Sequence, residues 1–284
     1  MAVTGADWVP DGAWLTPTYA EWAPPTALRG MIACLWASSS PADASRDALV
    51  LPDACSDLIW EQGTGAYVAG PDTGPVRIAT PPGAVVIGAR FWPAAGGPVL
   101  GLPLSEIRDQ RVDLADLLTA ARVPRPAREL AARLSPDLDP AAATAKVLAV
   151  AGALAAEGTA DQAVAHAASL LRDPAARSEQ VTAVTGLSER QMRRRFHAAV
   201  GYGPKTLQRV YRFQRFVQRI DEQSSFDLAA IAAEAGYADQ AHLSRECVAL
   251  SGLTPAALAR VRRLIEKNLG ATSRRLLCIV IMSY

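Results

Sequence analysis

At 284 residues the chain is long enough for two domains, each with its own core. Its net charge of +1 hides an asymmetry: residues 1–178 hold 13 Lys and Arg against 19 Asp and Glu, a net −6, and residues 179–284 hold 16 against 9, a net +7, so only the second half suits a polyanion. Four scattered cysteines (Cys34, Cys55, Cys247 and Cys278), no signal peptide and no apolar run longer than residues 276–282 argue against a disulfide framework and a membrane span, and lead to the expectation of a cytoplasmic protein with no membrane contact.

Residues 1–25 are rich in Pro, Trp and Ala without a clean period, which reads as an irregular lead-in. From 31 to 103 the texture is β. Short apolar runs recur at 31–37, 48–51, 57–61, 66–69, 76–79, 84–91 and 98–102, separated by Pro-Asp, Gly-Thr-Gly, Gly-Pro-Asp and Pro-Pro-Gly turn signals. Strands at this spacing predict a sandwich or barrel. From about 104 the period becomes helical: Val112-Asp-Leu-Ala-Asp-Leu-Leu118 opens an amphipathic run, prolines at 124, 126, 136 and 140 interrupt, and 141–157 and 162–172 follow as alanine-rich helices. Residues 104–176 are therefore expected to form a helical connector. Asp173-Pro-Ala-Ala-Arg177 marks the next boundary.

The stretch that follows is written twice. Gly186-Leu-Ser-Glu-Arg-Gln-Met-Arg-Arg-Arg-Phe196 with Gly201-Tyr-Gly-Pro204 is matched by Gly236-Tyr-Ala-Asp-Gln-Ala-His-Leu-Ser-Arg-Glu-Cys247 with Gly252-Leu-Thr-Pro255. The offset is 50 up to the first glycine and 51 after the turn, so one extra residue has entered the second turn. Each copy reads as helix, glycine-closed turn, helix. Ser188 suits an N-cap, and Met192 and Phe196 fall at i and i+4 on one buried stripe while Arg190, Arg193 and Arg194 point elsewhere. In the second copy the outward positions are Gln240, His242 and Arg245, and Gln and Arg are the side chains that read adenine and guanine bidentately. Between the copies, residues 205–220 form one long helix that fixes their spacing. Its arginines 209, 212, 215 and 219 are open to two uses, phosphate contact or pairing within the protein.

The doubled motif, the basic helix between its copies and the Gly-x-x-Pro that ends each one resemble the AraC/XylS family of transcription regulators, over residues 178–263. The resemblance implies two recognition helices in successive major grooves, with base-reading positions at Arg190, Arg193 and Arg194 and at Gln240, His242 and Arg245. Cys247 departs from the phenylalanine usual there, and Thr182 and Thr185 from the small or apolar residues usual in the first helix. Leu51-Pro-Asp53 with Asp57-Leu-Ile, Gly70-Pro71, and Gly88-Ala-Arg-Phe-Trp-Pro93 resemble the N-terminal sensor-like domain of one AraC-like branch. In such regulators a helical connector often carries dimer contacts.

The residues carry no signature of other chemistry. The three histidines, His166, His197 and His242, form no metal-ligand spacing, Gly63-x-Gly65 lacks the rest of a dinucleotide loop, and neither a Gly-x-Ser-x-Gly elbow nor a Walker loop occurs. No catalytic residue, metal or cofactor is expected. The expectation is an α+β multidomain chain: a β-rich N-terminal sandwich or barrel over 1–103, a connector over 104–176, an all-α domain with two helix-turn-helix units over 177–267, and a tail over 268–284 of unassigned role. Its function is that of a non-enzymatic DNA-binding transcription regulator, with a small-molecule effector held near Trp36, Trp60, Phe91 and Trp92. A homodimer and RNA polymerase are further candidate partners. The alternative is an enzyme or thiol acceptor, using Cys55, that the C-terminal domain carries to DNA.

Overall fold

In a computed structural model of the chain, the described residues are 19–120, 123, 125–176, 181, 185–222, 227–269 and 279–282. The N-terminal half builds two antiparallel sheets. Strands β1 (Tyr19–Trp22), β2 (Ile32–Ser39), β4 (Ser56–Glu61), β5 (Gly65–Ala69), β7 (Val85–Phe91) and β8 (Arg111–Asp113) form a six-stranded sheet in the order β1-β2-β7-β4-β5-β8. Strands β3 (Arg46–Val50), β6 (Val76–Thr80) and β9 (Ile279–Met282) form a three-stranded sheet with β3 in the middle. The tail thus returns to the first half of the chain, Ile281 pairing with Ala48.

Alternation along the strands decides what lies on each face. Leu35, Leu58, Trp60, Val68, Ile87, Ala89 and Phe91 turn one way, into a core completed by Val147, Val150, Ala151 and Leu154 of helix α4 (Pro140–Glu157). Trp36, Ile59, Tyr67, Ala69 and Val86 turn the other way, toward the small sheet. Gly88 permits this second layer: a β-carbon there would run into the Trp36 indole. Burying one side chain of Trp60's size stabilises by about 3 kcal/mol, and its Nε1 donates to the Ser135 carbonyl at 2.9 Å, so the ring adds no orphan donor.

Three stretches differ from the sequence expectation. Tyr19–Trp22, inside the lead-in read as irregular, pairs with β2 as strand β1. Residues 98–102 are no strand; Gly96–Leu100 is a short helix, α1, ended by Gly101 in the left-handed conformation. Pro98 lies in its first turn, where the missing N–H is an orphan anyway. Conversely Val112 and Asp113, expected to open a helix, belong to Arg111–Asp113, which pairs with β5 as the sheet's edge strand. Helix α2 (Leu114–Ala120) begins only after it, with the Asp113 carboxylate accepting from the Ala115 N–H at 2.7 Å. Helices α3 (Arg125–Ala131) and α5 (Gln162–Leu170) complete the connector. The lead-in before residue 19, Thr182 and Cys278 lie outside the described residues.

Among the described residues the C-terminal half has helices and, in the tail, one strand: α6 (Glu189–Val200), α7 (Pro204–Glu222), α8 (Leu228–Ala235), α9 (Gln240–Ser251) and α10 (Pro255–Leu269) precede β9. Helix α7 belongs to two cores at once. Its first half gives Leu207, Val210 and Tyr211 to a cluster with Met192 and Phe196 of α6, and its second half gives Phe213, Phe216, Val217 and Ile220 to a cluster with Ile231, Leu243 and Cys247. Each core also takes residues from the N-terminal half: Ala54 and Ala94 enter the first, Leu49 and Leu51 the second.

Candidate nucleic-acid interface

The two outward helices start from well-made caps. Ser188 and Gln191 form a reciprocal capping box at the head of α6: the Ser188 hydroxyl accepts from the Gln191 N–H at 3.3 Å and the Gln191 side chain accepts from the Ser188 N–H at 3.0 Å. Asp239 caps α9, accepting from the His242 N–H at 2.6 Å. The caps stand 51 residues apart and the turn glycines, Gly186 and Gly236, stand 50 apart. The extra residue therefore lies between glycine and cap. Both glycines hold positive φ (65° and 87°), which closes the preceding helix.

Buried Met192 and Phe196 fix the rotation of α6, leaving Arg190, Arg193 and Arg194 exposed on one stripe. None of the three makes an ion pair among the described residues. Arg195, next in line, is taken by Asp161, which holds it in a two-pronged pair at 2.6 Å. On α9, buried Leu243 and Cys247 leave Gln240 and Arg245 exposed. His242 is only half exposed, its ring edge-on to Tyr237 with centroids 5.2 Å apart. The offset of 51 sets Ala241, Ser244 and Arg245 against Arg190, Arg193 and Arg194. The half-buried Ser244 and the exposed Val248 thus share the outward face, although neither offers the bidentate pairing that singles out Gln and Arg. The second face is less charged than the first.

The linker arginines resolve into one of their two uses. Arg209 pairs with Glu246 at 2.8 Å, and Arg212 stacks over Tyr237 at 5.4 Å. Arg215 donates to the Ala235 and Arg172 carbonyls, and Arg219 pairs with Glu222 and Glu234 at 2.9 and 3.2 Å. Each ties α7 to the second unit or to the connector.

Two segments of the N-terminal half reach this machinery. Around residues 49–55, Leu49 and Leu51 pack among Phe213 and Phe216, and the Pro52 carbonyl accepts from the Gln214 side chain. Residues 70–75 touch the C-terminal end of the first outward helix and lie near that of the second. Pro71 is so close to Gly201 that a β-carbon there would collide with it, while a β-carbon on Gly74 or on Gly252 would only just reach Ala249 or Pro75, at 3.9 Å. This segment is pinned by Asp72, whose carboxylate takes both Arg111 Nη atoms at 2.8 and 2.7 Å, and by Asp109, which accepts from the Thr73 N–H at 2.6 Å.

Both segments also border a cavity of about 80 Å³ between the two sheets, lined by Leu51, Asp53, Cys55, Gly70 and Asp72 among others. Of the four aromatic residues expected near a ligand, Trp36 alone lines it. Trp60 and Phe91 lie on the opposite face of the large sheet, in the core against α4. Trp92, just past β7, lies across a shallow recess with Arg172 over its ring at 5.7 Å. The four do not converge. At one end of the cavity Arg90 meets Asp57 at 3.2 Å and Asp53 at 3.5 Å, and Trp36 Nε1 donates to Asp57 at 2.6 Å. Burial pushes the Asp57 carboxyl up to about 6 in spite of Arg90. Cys55 is half-buried at the rim, with its N–H donating to the Asp53 carboxylate at 2.9 Å. Among the described residues no group of three metal-ligating side chains comes together, and no helix is long and apolar enough to cross a membrane.

Two families match parts of the chain. One, described as a helix-turn-helix domain, covers residues 181–261; the other, a domain of unknown function (DUF6597), covers residues 20–113. No curated protein matches. Among solved structures, ToxT from Vibrio cholerae O395 aligns at 9% identity with a TM-score of 0.37, over 80% of this chain and 96% of its own. The wild-type ToxT of strain SCE256, bound to an unsaturated fatty acid, aligns at 8% identity with a TM-score of 0.36, over 84% and 96%.

Proposed function

We infer that the cavity of the N-terminal half modulates the DNA binding of this chain, whose residues 181–261 are an AraC-type helix-turn-helix domain carrying two such units. The chain is a DNA-binding transcription regulator. One observation carries the interface: the arginines of the outward stripe on α6 and Arg245 on α9 make no ion pair among the described residues, whereas all four linker arginines are engaged within the protein. Arg190, Arg193 and Arg194 then read one major groove, and Gln240, His242 and Arg245 the next, with α7 setting the distance between them. His242 reaches a base by leaving Tyr237.

Modulation follows from what the cavity walls touch. Segments 49–55 and 70–75 each border the cavity and each pack on the helices that carry or follow the readers. An occupant that prefers one arrangement of those segments changes DNA affinity by its difference in affinity for the two arrangements, and by no more. The protein does no chemistry of its own in this reading. A second copy of the chain and RNA polymerase are its further partners, tested by sedimentation with and without DNA and by transcription from purified components.

The test is selection of bound sequences from random duplex DNA, followed by Arg194→Ala and Arg245→Ala. Each is expected to weaken the selected site by about 1–3 kcal/mol and to relax preference in a different half-site. Wild-type binding by both variants would show that the faces are misassigned. Loss of regulation in Cys55→Ser with DNA binding intact would favour the thiol-acceptor reading instead.

A further inference from the structure

We propose that the cavity between the two sheets binds a short-chain aliphatic monocarboxylate, its carboxylate paired with Arg46 and its chain lying against Trp36. The binding itself stands on the cavity alone; only its effect on DNA rests on the function proposed above.

Arg46, the first residue of β3, is 7% exposed and lines the cavity. Its one hydrogen bond among the described residues goes from Nη1 to the Ser38 hydroxyl at 3.3 Å, and no carboxylate lies within ion-pair distance among them. A guanidinium carries five N–H donors, and a buried charge without a counter-charge is strongly unfavourable. Burial accordingly lowers the affinity of Arg46 for its proton.

The other two arginines of the lining each have a carboxylate partner. Arg90 has Asp53 and Asp57, and Arg111 has Asp72. The carboxylates cannot also serve Arg46. Ser38 pairs with Val86 and Asp57 with Arg90, four residues further along β7, which places the two ends about 13 Å apart at the usual strand rise. Between them the walls are apolar: Trp36, Ala48, Val50, Ile59, Ile78 and Val86. An occupant therefore needs an anionic head at the Arg46 end, beside the hydroxyl-bearing Ser38 and Thr80, and an apolar body.

Size and charge narrow the class. A cavity of about 150 Å³ accepts the six carbons of benzene, so the volume of about 80 Å³ found here suits an apolar body of roughly three carbons behind the carboxylate head. One guanidinium offers a planar fork that matches one carboxylate; a phosphate dianion would leave a second charge unmatched among apolar walls. Propionate and butyrate fit both limits.

The test is thermal unfolding of the full chain with propionate or butyrate, against butyramide, n-butanol, octanoate and inorganic phosphate at matched ionic strength. Propionate and butyrate are expected to raise Tm in a concentration-dependent way, and the neutral isosteres are not. Arg46→Met replaces the guanidinium by an apolar chain of similar reach and is expected to lose the butyrate shift. Ala48→Leu keeps the charge, fills the cavity and should also lose the shift, which covers the case in which Arg46→Met does not fold. Equal shifts from butyramide, a shift retained in both variants, a response to octanoate or phosphate alone, or no shift at all would each overturn the proposal. Butyrate binding without a change in affinity for the selected DNA would uphold the site and defeat the modulation. Specific DNA binding without a butyrate shift would do the reverse.

Discussion

The division of arginines into engaged and unengaged sets fixes how DNA binding responds to salt. Each phosphate neutralised on duplex DNA releases counterions and adds about 0.9 to the log–log slope of affinity against salt. On the two outward helices, Arg190, Arg193, Arg194 and Arg245 are exposed and make no ion pair among the described residues, whereas the linker's Arg209 and Arg219 hold Glu246, Glu222 and Glu234. If only the first set meets DNA, those helices contribute a slope of at most about 3.6 per chain, and adding the four linker arginines would double it. Titrating the selected duplex at several salt concentrations, by fluorescence anisotropy, separates the two cases. Arg193→Ala should lower the slope by up to about 0.9, and Arg209→Ala and Arg219→Ala should leave it where it was. A drop of nearly one in slope for each linker variant would refute the assignment.

The other outcomes are as follows. Ser188→Ala removes the cap of the first outward helix and should cost about 1 kcal/mol of stability by urea unfolding, with a larger loss in the first half-site than in the second. Asp72→Asn breaks the clamp on segment 70–75 and should destabilise by about 1–3 kcal/mol, while reducing the advantage of a two-half-site duplex over a single half-site. The Asp57 carboxyl, raised to about 6 in the fold from an ordinary value of 3.8, binds its proton more tightly when folded. Its contribution to stability is therefore fully present below pH 4, is lost as pH rises through 6, and is flat above that. Urea midpoints between pH 4 and 7 should fall more steeply for wild type than for Asp57→Asn. Parallel curves would show that Asp57 ionises normally.

Much of this was legible in the sequence because two signals were redundant. The doubled motif gave the caps, the turns and the buried stripes of the C-terminal half together, and the change of offset from 50 to 51 located the extra turn residue. Strand alternation likewise marked most of the N-terminal strands. What escaped was set by pairing. Whether Trp36 and Trp60 share a face depends on the register of β2, β7 and β4 and on the irregularity between Ile32 and Cys34. Each tryptophan alone is equally at home in a core or a pocket. The edge strand at Arg111–Asp113 is a response to the open side of β5, which no local pattern announces. Arg46 did leave a trace: in Arg46-Asp-Ala-Leu-Val50 the inward positions are Arg, Ala and Val, a charge written into an otherwise small and apolar alternation. A search for aromatic rings could not notice it.

The arrangement also explains why so small a cavity could matter to so distant a surface. The readers sit on helices whose separation is fixed by α7, a rod with one half in each core. A rod transmits no signal unless something can shift its two ends relative to each other. Segment 70–75 is placed to do so, because Pro71 abuts Gly201 at the end of α6 and Gly74 and Pro75 lie near the end of α9, without passing through α7. Segment 49–55 meets α7 itself, through Leu51 at Phe213 and Phe216 and through Pro52 at Gln214. The cavity wall is therefore in contact with the rod and with one of the two helices that the rod separates. Packed interfaces of this kind move between discrete arrangements rather than bending continuously, so a ligand worth 1–3 kcal/mol of differential binding suffices to change DNA affinity about 5- to 150-fold.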